Sequence, residues 1–348
     1  MPVYKDEKTG KYYFSCYYVD WTGEKKKKMQ RGFSLQREAK EAERKFLEHY
    51  IASSDITFAT LYDKYMEDFK ARFKPTTYHT KETVLKKHIL PYFNNLPLTD
   101  ISPSTIRQWQ NKLLTSDYSG EYIRYLNTQL SAIFNYAIKY HGIKQNPVKI
   151  AGVIGKKEKK LEFWTLDEFN QAMKFVKSPY DVPLMLLFYT GLRCGELLAL
   201  TIADYNSTAH TISVNKTYAK IKGTEYIQPP KTPKSNRVIT VPIEVCRLLD
   251  EYIKKLYEPS STTRIFENIT KHGIGYNLNS IQKKAGLHHI RIHDLRHSHA
   301  SLLIHLNVNI LAISERLGHE DITTTLNVYS HLYQEQKDEL TTKLNNLF

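Results

Sequence analysis

The stretch VPLMLLFYTGLRCGELLAL, residues 182–200, constrains the fold more than any other part of the chain. Its apolar residues run all the way round any helix drawn through it, so such a helix is buried on every side. It does not read as a membrane span, because Pro183, Gly191, Arg193 and Glu196 interrupt it. Gly191 stops a first helix and Arg193 begins a second. The chain must therefore build a core around a helix–turn–helix corner that carries a guanidinium. An arginine among leucines has to pair or line a site, and Glu196, three residues on, shares its helix face. A buried Arg–Glu pair with a purely structural role meets the same pattern.

Three further segments put cations or proton carriers at helix or turn boundaries inside apolar sequence. QPPKTPKSNRVITVP (228–242) reads as a turn between two strands, a basic hairpin offering Lys231, Lys234 and Arg237. IRIHDLRHSHASLLIHL (290–306) sets His293 and Arg296 on one helix face. His297 lies four residues from His293, so HDLRH also resembles the zinc helix HExxH with Asp for Glu. Arg296 on that face would repel a dication and no third ligand is placed, so no metal is expected. RLGHEDITTTLNVYSHL (316–332) stops a helix at Gly318, fixes His319 on the corner and carries Tyr329 on the next helix, capped by Asp321.

The net charge of +14 decides what such a cluster would face. Basic residues outnumber acidic ones 12 to 8 in residues 1–50, 13 to 8 in 55–150 and 25 to 20 in 151–348. The excess is spread over the whole chain, which suits contact with a long polyanion. Cys16, Cys194 and Cys246 are far apart, form no metal-type pair and fit a reducing cytoplasm. The N-terminus has no apolar signal region.

Residues 1–50 read as a small strand–helix unit. KYYFSCYYVD and EKKKKMQRGF are strands around a DWTG turn, followed by a helix with Ser34 as N-cap. Lys25, Lys26, Lys27 and Lys28 in a row place two on each face of a strand, so the sheet is thin with one face open. Lysines and Arg31 interleaved with aromatics suit a nucleic-acid backbone or groove, although lysine also blunts ordinary edge strands. Residues 59–146 carry four helices, through 60–73, 76–93, 102–114 and 122–141, with stops at Gly142 and Asn146–Pro147. A lysine-rich linker follows, and Thr165 with Glu168 opens the last domain as a capping box. Short strands and then helices complete the chain.

Two arginines, two histidines, a turn lysine and a tyrosine form a full kit for phosphoryl transfer without a metal. Arginine forks hold phosphate oxygens and stabilise the transition-state charge. A tyrosine hydroxyl, with a reference pKa near ~10, needs a positive site and a proton acceptor before it attacks. A turn lysine can protonate the leaving oxygen.

In the order Arg…Lys…His-x-x-Arg…His…Tyr, and in the contexts TGLRCGELLAL, PPKT, HDLRHSHAS and LGHEDITTTLNVYSHL, the chain resembles the tyrosine recombinase family, specifically phage and mobile-element integrases. The resemblance implies a mainly α multidomain chain with small β elements. An arm-type DNA-binding domain would occupy 1–51, a helical core-binding domain 55–147, a linker 148–163 and an α+β catalytic domain with a tail 164–348. It implies that Tyr329 attacks a DNA phosphate to leave a 3′-phosphotyrosine and a free 5′-hydroxyl. Arg193 and Arg296 would clamp the phosphate, and Lys231 would protonate the 5′-oxygen, with Lys234 the nearby alternative. His293 and His319 would move protons, and Tyr333 would be packing or tail. No cofactor is called for. The implied partners are core-type and arm-type sites in double-stranded DNA, three further copies of the chain on a Holliday junction, a host DNA-bending protein and an excision factor. No membrane is involved, and the setting is the cytoplasm of a bacterial host. Lys25 to Lys28 and Arg31 would contact the arm site, and the tail 335–348 would dock on a neighbouring protomer. A chromosome-dimer resolvase, a type IB topoisomerase, an inactive DNA-binding regulator and a zinc hydrolase are the competing readings.

Overall fold

The structure is a computed structural model that describes residues 3–7, 9–19, 25–52, 56–156, 162–230, 232–318, 320–323 and 326. It divides into two compact units, 1–159 and 160–348.

In the first unit, β1 (Val3–Lys5), β2 (Tyr12–Val19) and β3 (Lys25–Phe33) form an antiparallel sheet in that order. Strand alternation turns Phe14 toward α1 (Gln36–Ala52), where it is fully buried against Phe33 and Phe46. Tyr13 and Tyr17 then point to the opposite face, and Tyr17 is exposed. Tyr12 faces Phe33 while Tyr13 faces Arg31, so Gly32 is an extra residue in the ladder. Its φ of +100° is a conformation that a residue with a Cβ resists. At the start of α1 the N–H groups of Ser34 and Leu35 both go to the carboxylate of Glu38, at 3.2 Å. The first-turn acid reaching back thus serves the end assigned to Ser34.

The rest of this unit is helical: α2 (Phe58–Arg72), α3 (Pro75–His88), α4 (Leu90–Phe93), α5 (Pro103–Leu114), α6 (Gly120–His141) and α7 (Pro147–Ala151). Thr57, Ser102 and Ser119 each accept from an N–H of the first turn that follows. Two expectations are corrected. The helix expected over 76–93 breaks at Ile89, because Pro91 has no N–H to continue the ladder. Asn146–Pro147 opens a helix instead of ending one. Asn146 Oδ1 accepts from the N–H groups of Val148 and Lys149, and Pro147 sits at the first turn, where its missing donor costs nothing. Gly142, at φ +69°, ends α6 as expected. The core packs Phe58 against Phe93 and Phe134, and Phe93 against Trp109.

The second unit runs α8 (Leu166–Met173), α9 (Asp181–Thr190), α10 (Cys194–Ala199), β4 (Tyr205–Asn206), β5 (Thr211–Val214), β6 (Thr217–Ile221), β7 (Thr224–Gln228), β8 (Arg237–Thr240), α11 (Ile243–Ile253), α12 (Lys271–Ala285), α13 (Asp294–His305) and α14 (Ile310–Leu317). The capping box at Thr165 and Glu168 is present in both directions. As its composition requires, α9 is buried along its length, and Phe188 stacks on Phe169 with centroids 3.8 Å apart. Trp164 is fully buried, its backbone N–H held by Ser298 Oγ at 2.9 Å.

The expected hairpin across 228–242 is not one. β7 pairs with β6, while β8 pairs with β5 in a separate sheet ordered β4-β5-β8. Ile239 of β8 has to join Ile212 and Val214 in the core, and pairing with β5 puts all three on one face. The lysine turn therefore links two sheets. No helix among the described residues is long and apolar enough to cross a membrane.

Candidate active site

Four helix ends in the second unit supply the candidate residues. α9 ends at Gly191, whose φ of +66° turns the chain sharply into α10. A Cβ at Gly191 would lie 2.7 Å from His299 Cδ2 and 2.8 Å from Leu317 Cδ2, so glycine is required by space as well as by φ. Arg193 follows as the N-cap of α10, with its side chain 38 % exposed. Glu196 holds it as the sequence requires: Oε1 accepts from Arg193 Nη1 at 2.7 Å, and Oε2 from the Arg193 backbone N–H at 3.0 Å.

Glu196 also has a second partner that sequence reasoning missed. Arg237, the first residue of β8, donates from Nη2 to Glu196 Oε2 at 2.9 Å and from Nη1 to Oε1 at 3.4 Å. Burial opposes ionisation of Glu196, but the hydrogen bonds and charge of Arg237, followed by the charge of Arg193, hold its carboxyl below the ordinary value. In the sequence Arg237 was one cation of a basic turn, and nothing local tied it to a carboxylate 41 residues earlier.

His293 is the N-cap of α13 and Arg296 lies in its first turn, so the two share a face as expected. Burial, then the charges of Arg296 and Arg193, push the His293 pKa down. The imidazole is therefore neutral near pH 7 and able to accept or donate a proton. Arg296 is almost wholly buried; it donates to Gly191 O at 2.8 Å and to Leu317 O. These carbonyls end α9 and α14, so one guanidinium ties the corner before Arg193 to the corner before His319. His297 packs edge-on to His293 with centroids 5.2 Å apart, and burial followed by the charge of His293 lowers its pKa to about 4. Among the described residues no three His, Cys, Asp or Glu side chains converge as a metal site would need.

Gly318 ends α14 at φ +67°, as expected from the sequence. Asp321 accepts from the N–H of Thr323 at 2.9 Å, the contact expected of a cap. His319, Lys231, Tyr329, Tyr333 and the tail 335–348 lie outside the described residues. Lys234 is described: its Nζ donates to Glu320 O at 3.0 Å, so it latches the lysine turn to the residue after His319. Sequence reasoning also missed Arg316 and His299. Arg316 Nε donates to His299 Nε2 at 3.0 Å, and Nη2 donates to Tyr189 O and Thr240 O at 3.2 and 2.9 Å. The signal was present in both cases, an arginine and a histidine inside otherwise apolar helical segments.

The basic face expected of residues 1–50 belongs to the first unit. Lys27 lies over the ring of Tyr17 and Arg31 over that of Tyr13, at 5.7 and 5.4 Å, which makes a ladder of cations on aromatics across the open face. Lys28 points the other way, over Phe46 at 5.5 Å, and alternation puts Lys26 on that same side. Lys25 pairs with Val19 in the ladder; its side chain lies outside the described part.

Three family models match the chain. The Arm DNA-binding domain covers residues 2–50, the N-terminal SAM-like domain of phage integrase 57–114, and the phage integrase family 162–336. The chain is 31 % identical over 336 residues to the ICEBs1 integrase of Bacillus subtilis, covering 90 % of this chain and 91 % of that protein. Its fold is similar to that of the Tn1549 transposon integrase in complex with a circular intermediate DNA, with a TM-score of 0.71, 22 % identity, and coverage of 83 % and 99 %. It is similar also to a lambda integrase dimer bound to a COC' core site, with a TM-score of 0.62, 18 % identity, and coverage of 94 % and 93 %. The corners that hold Arg193, His293 and Arg296 thus fall inside a match that runs through most of the second unit, and the chain belongs to the phage integrase family.

Proposed function

We propose that the chain integrates and excises a phage or other mobile element by cutting and rejoining double-stranded DNA at specific sites. Tyr329 Oη attacks the scissile phosphorus, the bond to the 5′-oxygen breaks, and Lys231 gives that oxygen its proton. The result is a 3′-phosphotyrosine and a free 5′-hydroxyl. Because the ester keeps the bond energy, the reverse attack by another 5′-hydroxyl seals the strand without a nucleotide cofactor. Arg193 and Arg296 neutralise the phosphate, and His293 and His319 take and return protons. The observation that carries this reading is that Arg296, on the same helix face as His293, donates to Gly191 O and Leu317 O and so draws together the corner before Arg193 and the corner before His319. That arrangement binds an anion and offers a proton acceptor at one place.

In this reading residues 1–51 bind arm-type sites, 55–147 bind core-type sites, 148–163 are a linker and 164–348 are catalytic. Arm contact falls to Lys25, Lys26, Lys27, Lys28 and Arg31. Four copies exchange strands through a Holliday junction, in the cytoplasm of a bacterial host, with a DNA-bending protein and an excision factor as accessories. The test is covalent trapping on nicked duplexes carrying candidate attachment DNA, without divalent metal. An adduct on a denaturing gel that disappears in Tyr329→Phe supports the assignment. Tight binding to that same DNA with no adduct from the unaltered chain would refute it.

A further inference from the structure

Arg237 is built deeply into the cluster. Its side chain is 7 % exposed, and four hydrogen bonds leave it in three directions. Nη1 and Nη2 go to the two oxygens of Glu196. Nε donates to Arg316 O at 2.7 Å, and Nη1 also to Ser235 O at 3.1 Å. A Cβ at Gly318 would lie 3.2 Å from Arg237 Cδ and Nη1, so the corner before His319 packs directly on this guanidinium. One side chain therefore touches the start of α10, the turn that follows Lys231 and the end of α14. With its donors so committed, Arg237 is poorly placed to clamp a phosphate itself.

The charges give the contact a consequence. Arg193 and Arg237 share a single carboxylate, both of whose oxygens receive a hydrogen bond from each arginine. Without Arg237, Glu196 would pair with Arg193 alone and cancel its charge. With Arg237 present, the buried cation offsets the carboxylate, and the more exposed Arg193 keeps a net positive field for an anion.

We propose that Arg237 is a positioning residue that offsets the charge of Glu196, so that Arg193 stays available to the scissile phosphate, and that it holds the Gly318 corner in register with the lysine turn. The inference rests on the reading of Arg193 given under Proposed function. Arg237→Lys can keep the charge beside Glu196 but cannot also reach Arg316 O, so it separates the two parts of the role.

The experiment measures single-turnover adduct formation on nicked attachment-site DNA, with DNA binding followed in parallel. It compares the unaltered chain with Arg237→Met, Arg237→Lys and the double variant Arg237→Met/Glu196→Gln. Each is given the ordinary phosphodiester and a methylphosphonate, which replaces one charged oxygen by a neutral methyl at the scissile position. Arg237→Met is expected to bind DNA normally and to cleave the phosphodiester roughly 10²-fold more slowly, the scale of losing one transition-state donor. Its loss on the methylphosphonate is expected to be about tenfold smaller, because less charge needs stabilising. The double variant, with no carboxylate to compete for Arg193, is expected to cleave faster than Arg237→Met; it also leaves no buried charge unpaired should the single variant fold poorly. Arg237→Lys is expected to keep the substrate preference of the unaltered chain while losing rate. Equal losses on both substrates, or a double variant no faster than Arg237→Met, would overturn the proposal. Absence of adduct from the unaltered chain would instead sink the reading of Tyr329 and Arg193 beneath it.

Discussion

Replacing Gly191 by alanine tests how tightly the corner before Arg193 is built, and the molecule contains its own control. Gly191 and Gly286 have nearly the same φ, +66° and +67°. An added Cβ at Gly286 meets nothing within 4 Å, whereas at Gly191 it lies 2.7 Å from His299 Cδ2 and 2.8 Å from Leu317 Cδ2. Gly286→Ala should therefore cost only the left-handed backbone penalty, about 1–2 kcal/mol. Gly191→Ala pays that and an overpacking cost of about 1–3 kcal/mol, for a total of about 2–5 kcal/mol. Neither neighbour can step aside cheaply. His299 is pinned by Arg316 through Nε2, and Leu317 is fully buried. For a unit of this size the loss corresponds to a fall in Tm of about 4–20 °C. The assay is urea unfolding followed by Trp164 fluorescence in a background carrying Trp21→Phe and Trp109→Phe. That leaves the buried Trp164 as sole indole reporter of the second unit. Equal losses at the two glycines would refute the packing argument. A neutral Gly286→Ala would refute the backbone argument.

Three further outcomes are expected. Ser298→Ala removes the hydroxyl that accepts from the Trp164 N–H and donates to Asp294 O, both buried, and should destabilise the second unit by about 1–3 kcal/mol in the same unfolding assay. His297 is held neutral, its pKa lowered from 6.5 to about 4 by burial and then by the charge of His293, so the unfolded chain binds the extra proton between those values. Stability of the second unit should fall as the pH drops from about 6.5 to about 4, and His297→Gln should flatten that slope; an unchanged slope would refute the assignment. Lys81 lies over the rings of Phe69 and Tyr65 at 4.3 and 4.8 Å, and burial lowers its pKa to about 8. The folded state there disfavours the ammonium, so the first unit should gain stability as the pH rises above about 8, and Lys81→Met should abolish that gain in a pH series of unfolding midpoints.

The corners were legible in the sequence because they rest on local rules. A glycine after the last residue of a helical pattern predicts the stops at Gly191 and Gly318, and i to i+3 spacing predicts the Arg193–Glu196 pair and the shared face of His293 and Arg296. The ordered set of six residues pointed to the family, since such an order reports chemistry and not folding. The misreadings at Pro91 and Pro147 were also local, where one proline could end or begin a helix and only the neighbouring caps decide.

What only the tertiary structure decided is which distant groups share a charge. The turn at 228–242 looked like a hairpin because both flanks are strands, yet β7 and β8 belong to different sheets. Register is chosen by the buried face, and Ile239 reaches the core by pairing with β5. That choice brings Arg237 to Glu196, 41 residues away, and sets its guanidinium against the corner at Gly318. Likewise the sequence set Arg296 on the His293 face, and its carbonyl partners at Gly191 and Leu317 come from two other helices. Sequence by itself determined the residue types, their order and the bends between helices, because those depend on neighbours within a few positions. The sharing of one carboxylate by two arginines, and the knotting of two corners by a third, depend on contacts across the fold and were settled only when the core closed.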